Sequence, residues 1–300
     1  MSRVLTFTTP VSLVATTDFR QTLRAVAKLG GCDLVLTSPP YEDARTYDAD
    51  VAWTLRDYQE LGDLTFAALK PGGHALVVLD GPVRDWRQGR GSERSLTPWR
   101  VLLDWADRVG FRVPDRMAYL RMGAPGAYTG RFRNDWEPLF WFQRPGAKGF
   151  FDKWALAEDA KWGYFLHEPN KRVKSWNKAG DLSARRASGR GVESGKKHRG
   201  TAWQYHAGHN QDGPGFVNPG HPARFATKFA EDVVRCFSPP DGIVCDPMVG
   251  SGTTAVAAVR HGRRFVGGDL LSDKKGRPWA EVAHGRVLTE LATAPRPRSP

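Results

Sequence analysis

A doubly wound, mostly parallel α/β sheet is the fold class this sequence predicts, and three observations predict it. Short apolar runs alternate with longer amphipathic segments, the pattern of strands joined by helices. Gly and Pro clusters punctuate that alternation, as at Gly30-Gly31 and Lys70-Pro71-Gly72-Gly73. Two motifs rich in Gly, Pro, Ser and Thr stand directly after apolar runs, at the strand ends where open sheets bind ligands.

Val11 to Ala15 reads as a first strand, ending near Asp18. Residues 19–29 carry a helical pattern in Phe19, Leu23, Val26 and Ala27, and Gly30-Gly31 ends it. Asp33-Leu34-Val35-Leu36 reads as a buried strand. Residues 54–69 form a helix with Leu55, Tyr58, Leu61, Leu64 and Ala68 on one face. Lys70–Gly73 stops it, and His74 to Leu79 is a strand. Thr97 reads as an N-cap with Pro98 in the first helical position, followed by Val101, Leu102, Trp105 and Val109 as the inner face. Residues 116–121 and 137–143 are further strands. Residues 146–220 lose periodicity, and Ala184 to Gly200, with Val192 its one large apolar residue, reads as a loop. Regular pattern returns with a helix over 222–237, carrying Phe225, Phe229, Val233 and Phe237. Ile243–Cys245 is a strand, 253–261 a helix, Phe265-Val266 the start of a strand, and Ala280 to Leu291 a closing helix. The tail from Pro295 is too rich in Pro and Arg to pack.

Composition sets the class of partner. At 300 residues the chain can bury one large core or two modest ones. Hydrophobic residues make up 40% and charged residues 25%, the balance of a soluble globular protein. The net charge of +12 comes from 44 Lys and Arg against 32 Asp and Glu. A surplus of that size points to a polyanionic partner, usually nucleic acid. Cys32, Cys236 and Cys245 lie far apart without metal-type spacing and read as buried thiols in a reducing compartment. No signal-peptide pattern and no membrane-length apolar run is visible, so a cytoplasmic location is expected.

Thr37-Ser38-Pro39-Pro40-Tyr41 follows the strand at 33–36. Each Pro fixes φ and removes a backbone N–H, so the turn offers carbonyl oxygens without competing donors. Ser38 adds a hydroxyl acceptor and Tyr41 a flat ring. The combination is a socket for an amino group carried on a planar ring. Taken alone, it also fits a rigid surface turn or a polyproline-type ligand.

The second motif, Asp246-Pro247-Met248-Val249-Gly250-Ser251-Gly252-Thr253-Thr254, joins a strand to a helix. Its glycines permit a tight turn and close backbone approach to a ligand. The helix N-terminus offers N–H groups to an anionic group. Asp269 ends the next strand, 17 residues after Gly252, where a carboxylate can accept both hydroxyls of a ribose. An adenosine-containing cofactor fits this unit. Gly250-x-Gly252-x-x-Ala255 also matches the dinucleotide fingerprint, so a nicotinamide or flavin oxidoreductase is the alternative from another class.

Together the two motifs resemble one family, the amino-methyltransferases of DNA, in the β class whose catalytic motif precedes the S-adenosylmethionine motif. The resemblance covers residues 11–145 and 218–290. Lys70–Gly73 with its strand agrees, as do Trp136-Glu137-Pro138-Leu139-Phe140-Trp141-Phe142, His221-Pro222-Ala223-Arg224-Phe225 and Phe265-Val266-Gly267-Gly268-Asp269. The chain departs from the family's pattern at Met248, where Phe is usual, at Ala226, where a second Pro is usual, and in the extra polar stretch Ser272 to Pro278. The resemblance implies a Rossmann-like methyltransferase sheet in circularly permuted order, with an inserted irregular target-recognition region. It implies S-adenosylmethionine as cofactor, held by Asp18, Phe225, Asp246, Met248, Gly250, Ser251, Gly252, Thr253, Thr254 and Asp269. The expected division is a catalytic half at 1–145, the target-recognition region at 146–217, a cofactor-binding half at 218–290 and a disordered tail at 291–300.

The resemblance also implies a chemistry. An exocyclic amine is a poor nucleophile because its lone pair is delocalised into the ring. Ser38 Oγ and the carbonyl of Pro39 would accept its N–H bonds, Pro40 would complete the turn and Tyr41 would stack on the base. The base must leave the duplex to reach them. Methylation at cytosine C5 needs a Cys nucleophile, commonly after Pro, and this chain has no Pro-Cys dipeptide. Ser at the head of the motif resembles the cytosine-N4 branch, and Asp there is typical of the adenine-N6 branch. Cytosine N4 is therefore expected, with adenine N6 the alternative. RNA as substrate and a DNA-binding protein without catalysis are the remaining alternatives.

From Arg144 to Trp203 there are 14 Lys and Arg against 6 Asp and Glu. Basic residues among aromatics suit phosphate contact and base stacking. Lys171, Arg172, Arg185, Arg186, Lys196, Lys197 and Arg199 are the expected contacts to double-stranded DNA. A homodimer and a cognate restriction enzyme are the further partners the resemblance suggests. His206, His209 and His221 lack ligand-type spacing, and no metal is expected.

Overall fold

The computed structural model describes residues 6–42, 53–84, 93–122, 132–159, 172–176, 182–186, 196–206, 224–273 and 275–293. The chain divides into two compact units, Met1–Phe151 with Thr201–Pro300, and Asp152–Gly200. The first unit opens with β1 (Thr6–Thr8), β2 (Ser12–Thr16), α1 (Phe19–Lys28), β3 (Cys32–Thr37), α2 (Leu55–Ala68) and β4 (Leu69–Val78). It continues with the short pair β5 (Val83–Arg84) and β6 (Glu93–Arg94), then α3 (Thr97–Asp104), β7 (Arg116–Met122) and β8 (Trp136–Gln143). The second unit holds β9 (Glu158–Asp159), β10 (Arg172–Trp176), β11 (Leu182–Arg186) and β12 (Lys196–Lys197). The first unit resumes with β13 (Ala202–His206), α4 (Thr227–Phe237), β14 (Ile243–Asp246), α5 (Thr253–Arg260), β15 (Arg264–Asp269) and α6 (Trp279–Thr293).

One sheet organises the first unit, in the order β1-β2-β15-β14-β3-β4-β8-β7-β13. Every neighbouring pair is parallel except those that β1 and β8 make. The C-terminal strands β14 and β15 thus sit inside the sheet between β2 and β3, which is the permuted order. Parallel strands covered on both faces read as continuous apolar runs. In β3, five of six residues are buried. Val35, Ala75, Val77 and Cys245 face a core built with Leu23, Tyr58, Leu61 and Trp105 from the helical segments on that side. The alternate residues Leu34, Leu36, Leu76 and Val244 are fully buried too. α4, α5 and α6 pack on one another and on the strands β3, β14, β15, β1 and β2. The sheet is therefore wound on both sides. Among the described residues, no helix is long and apolar enough to cross a membrane.

Several elements differ from the sequence reading. Lys70–Gly73 lies inside β4, because Leu69 already pairs with Cys32 before the register shifts near Leu34. Leu55, expected on the inner face of α2, is 40% exposed, while Gly62 and Thr65 are buried there. Thr97 is the first helical residue of α3, not its cap, and its N–H bonds to Ser95 Oγ at 3.2 Å. α4 begins at Thr227 because Ala226 is extended, which leaves Phe225 ahead of the helix. β1 and β13 are strands the sequence reading did not assign. β13 lies within the stretch read as irregular, yet its Trp203 and Tyr205 are buried in strand alternation.

The second unit contains a two-stranded ribbon, β10 against β11, with Arg172 opposite Arg186 and Val173 opposite Arg185. It also pairs β12 with β9. Residues 184–186 and 196–197 are therefore strand, not loop, because each finds an antiparallel partner within the unit.

Candidate active site

The chain diverges between β14 and β3. β14 runs through α5 to β15 on one side, while β3 runs through α2 to β4 on the other. The two strands are parallel neighbours, Cys245 beside Val35. Such a reversal leaves a crevice at the carboxyl ends of the strands. Asp246 ends β14 and Ser38 directly follows β3, so both sequence motifs meet there. A cavity of about 200 Å³ occupies the place, lined by Ser38, Pro40, Asp246, Met248, Thr253 and Asp269 among others.

The turn after β14 is built around Asp246. Its Oδ1 accepts from the Met248 N–H at 3.1 Å, and its Oδ2 from Thr254 Oγ–H at 2.7 Å. Burial pushes its carboxyl up to about 6, the bonds from Thr254 and Met248 oppose that, and the nearby Asp269 charge adds to it. Asp269 is likewise pushed up to about 6 by burial, against the N–H bonds from Leu271 and Gly250. Gly250 and Gly252 both adopt positive φ, 49° and 87°. At Gly252 a Cβ would stand 2.7 Å from Ala283, so this glycine permits close packing of the turn on α6. It does not line the cavity.

The walls suit a flat, partly polar ligand. Phe19, Trp53, Phe225 and Met248 supply an apolar lining. Phe19 and Trp53 stand 5.2 Å apart and Trp53 packs on Tyr58 at 5.1 Å. Asp18, which also lines the cavity, caps α1 by accepting from the Gln21 N–H at 3.0 Å. Arg20 ties that edge together, bonding Asp57 at 2.9 Å and Glu60 at 2.7 Å. The hydroxyl of Thr253 is buried and has no hydrogen-bond partner among the described residues. An orphan hydroxyl in a cavity wall is what a ligand-binding group leaves when its partner belongs to the ligand.

Ser38 and Pro40 line the cavity, whereas Pro39 and Tyr41 are buried and do not. The expected stacking position of Tyr41 therefore differs from its observed one. Its hydroxyl lies 3.3 Å from Ser38 Oγ and 3.2 Å from Glu137 Oε2, and these bonds draw the ring inward. The Pro40 carbonyl accepts from Tyr58 Oη–H at 2.5 Å. Arg121 pairs with Glu137 Oε1 at 3.1 Å.

All the expected cofactor residues except Gly252 either line the cavity or, as with Asp246 and Thr254, both line it and brace the turn. Phe19, Arg20, Trp53, Asp57 and Arg224 line it as well and were not anticipated. Phe19 had a signal, since it follows Asp18 at the start of a helix. The expected DNA contacts fall in the other unit. Arg172, Arg185 and Arg186 sit on the β10–β11 ribbon, and Lys196 and Lys197 form β12. Arg199 pairs with Glu158 at 3.6 Å. Lys171, His209 and residues 221–223 lie outside the described residues. No cluster of potential metal ligands occurs among the described residues.

A family model for DNA methylases of the N6/N4 type matches residues 32–274, which include both motifs. The chain belongs to this family. Among its relatives is the orphan methyltransferase M.BamHII of Bacillus amyloliquefaciens, 25% identical over 86% of this chain and 90% of the relative. The type II methyltransferase M.ScaI of Streptomyces caespitosus is 25% identical over 86% of this chain and 75% of its own. Solved structures share the fold of this DNA methylase. One is TTHA0409 of Thermus thermophilus, described as a putative DNA modification methylase complexed with S-adenosyl-L-methionine. It has TM-score 0.57 and 19% identity, covering 93% of this chain and 94% of that one. Another is the PvuII DNA methyltransferase, described as cytosine-N4-specific, with TM-score 0.57 and 17% identity over 94% of each chain.

Proposed function

We propose that this DNA methylase transfers a methyl group from S-adenosylmethionine to the exocyclic amine of a base flipped from double-stranded DNA, with cytosine N4 as the target. The observation that carries the reading is the meeting of Ser38 with the Asp246–Thr254 turn and Asp269 around one cavity. Bound there, S-adenosylmethionine supplies a methyl group on a positively charged sulfur. Asp269 keeps lone pairs available beyond the two backbone bonds it accepts, which suits sugar hydroxyls. Thr253 offers a hydroxyl that has no partner among the described residues. Phe19, Trp53, Met248 and Phe225 offer apolar surface to a flat ring. Ser38 would accept an N–H of the target amine, which localises the nitrogen lone pair and holds it in line for transfer.

The choice of cytosine rests on Ser38. A hydroxyl accepts less strongly than the carboxylate typical of the adenine-N6 branch, and it suits a different amine. The likeness to PvuII methyltransferase supports the same choice. Adenine N6 is the second reading, because the matching family spans both N6 and N4 methylases. For DNA, the β10–β11 ribbon and β12 gather the cationic positions Arg172, Arg185, Arg186, Lys196 and Lys197 in one compact unit.

Incubation of duplex DNA with methyl-labelled S-adenosylmethionine tests the reading. Label should enter DNA with the wild-type protein and fall by about a hundred-fold or more with Ser38→Ala. The protein should bind S-adenosylhomocysteine and not NAD. Binding of NAD without label transfer would instead favour an oxidoreductase.

A further inference from the structure

Building on the proposed amine methylation, we infer that Glu137, acting through Tyr41, fixes the direction of the hydrogen bonds at Ser38 and so makes Ser38 an obligate acceptor. Ser38 follows β3, Arg121 lies on β7 and Glu137 on β8, so three strands converge on this chain of groups. The Glu137 side chain is 8% exposed, and Arg121 stands 3.1 Å from its Oε1. A buried carboxylate is costly without such a pair. A carboxylate only accepts. The Tyr41 hydroxyl, 3.2 Å from Oε2, therefore donates to it. Its single proton being so placed, the Tyr41 oxygen accepts from Ser38 Oγ–H at 3.3 Å. Ser38 thus turns its proton away from the cavity it lines and presents lone pairs there.

That polarity matches an amine, whose N–H groups are donors. A serine hydroxyl without this chain would rotate and turn its proton toward the amine part of the time. Both spacings are long for hydroxyl bonds, and an amine donating into Ser38 would strengthen both by polarising the chain. Tyr41 accordingly serves the base indirectly, as a positioning residue, and Glu137 acts through it.

Glu137→Gln tests this sharply because Arg121 dictates how the amide sits. The positive guanidinium stands 3.1 Å from Oε1, so the amide oxygen faces Arg121 and the NH₂ faces Tyr41. The chain then reverses, Tyr41 donates to Ser38, and the Ser38 proton points at the substrate. Removing the Tyr41 hydroxyl breaks the reversed chain. Single-turnover and steady-state methylation of duplex DNA should show kcat about ten-fold or more lower for Glu137→Gln and about two- to five-fold lower for Tyr41→Phe. The double variant should return to within about two-fold of Tyr41→Phe alone, so the second substitution rescues the first. KM for DNA and affinity for S-adenosylhomocysteine should stay within about two-fold of wild type throughout.

A double variant slower than Glu137→Gln, or Glu137→Gln with wild-type kcat, would overturn the inference while leaving the methyltransferase reading intact. Wild-type protein that transfers no methyl group overturns both. Should Glu137→Gln fail to fold, Tyr41→Phe alone decides: a kcat equal to wild type overturns the inference, and the modest loss with unchanged KM supports it.

Discussion

The Gly250 N–H donates to Asp269 Oδ2 at 2.8 Å, which ties the turn after β14 to the end of β15. The other oxygen accepts from the Leu271 N–H, also at 2.8 Å. One carboxylate thereby shapes two loops that line the cavity, and it does so with lone pairs left for a ligand. Asp269→Asn must set an NH₂ against one of those N–H donors. Affinity for S-adenosylhomocysteine should fall by about ten-fold or more, roughly 1.4 kcal/mol, in calorimetric titration. Unchanged affinity would contradict the role given to Asp269.

Acid should weaken binding of the methyl donor. Burial holds both Asp246 and Asp269 up to about 6. With a raised value, each takes up a proton as pH falls through about 6, before an ordinary carboxylate would. A cationic sulfonium favours the ionised forms, so its presence opposes that uptake. S-adenosylmethionine should lose affinity between about pH 7.5 and about pH 5 more steeply than uncharged-sulfur S-adenosylhomocysteine. A constant ratio of the two affinities across that range argues against charged acids in the cavity.

Gly252→Ala should destabilise the fold on two counts. The residue holds φ at 87°, and an added methyl would sit 2.7 Å from Ala283 on α6. The expected loss is about 1–3 kcal/mol, read from the urea midpoint. A midpoint equal to wild type would show that α6 shifts without cost.

Neutralising Arg172, Arg185 and Arg186 together should weaken DNA binding and flatten its dependence on salt. The slope of log affinity against log salt should fall by about one for each phosphate no longer paired with a cation. Affinity that drops with an unchanged slope, or does not drop, would remove the ribbon from the DNA interface.

Local spacing explains what could be read from the sequence. The Asp246–Thr254 turn braces itself through Thr254 and Met248, only a few residues along the chain, so its motif was visible. Asp269 was visible because one helix and one strand separate it from that turn. In the sequence Glu137 stands in a strand-like run with no local sign of a role, because its partner Tyr41 is 96 residues away. The same distance hid why Tyr41 turns inward. Gly252 was read as room for a ligand, but the neighbour that needs the room is Ala283, on a helix no local pattern connects to it. β13 carried a readable alternation in Trp203 and Tyr205, masked by the basic stretch before it.

Nucleoside mass spectrometry of duplex DNA methylated by the wild-type protein decides which amine Ser38 serves. N4-methylcytosine is the expected product, reduced about a hundred-fold or more when Ser38→Ala replaces the wild type. N6-methyladenine as the sole product would contradict the target assigned from Ser38, and unmodified DNA in the presence of bound S-adenosylmethionine would contradict methyl transfer itself.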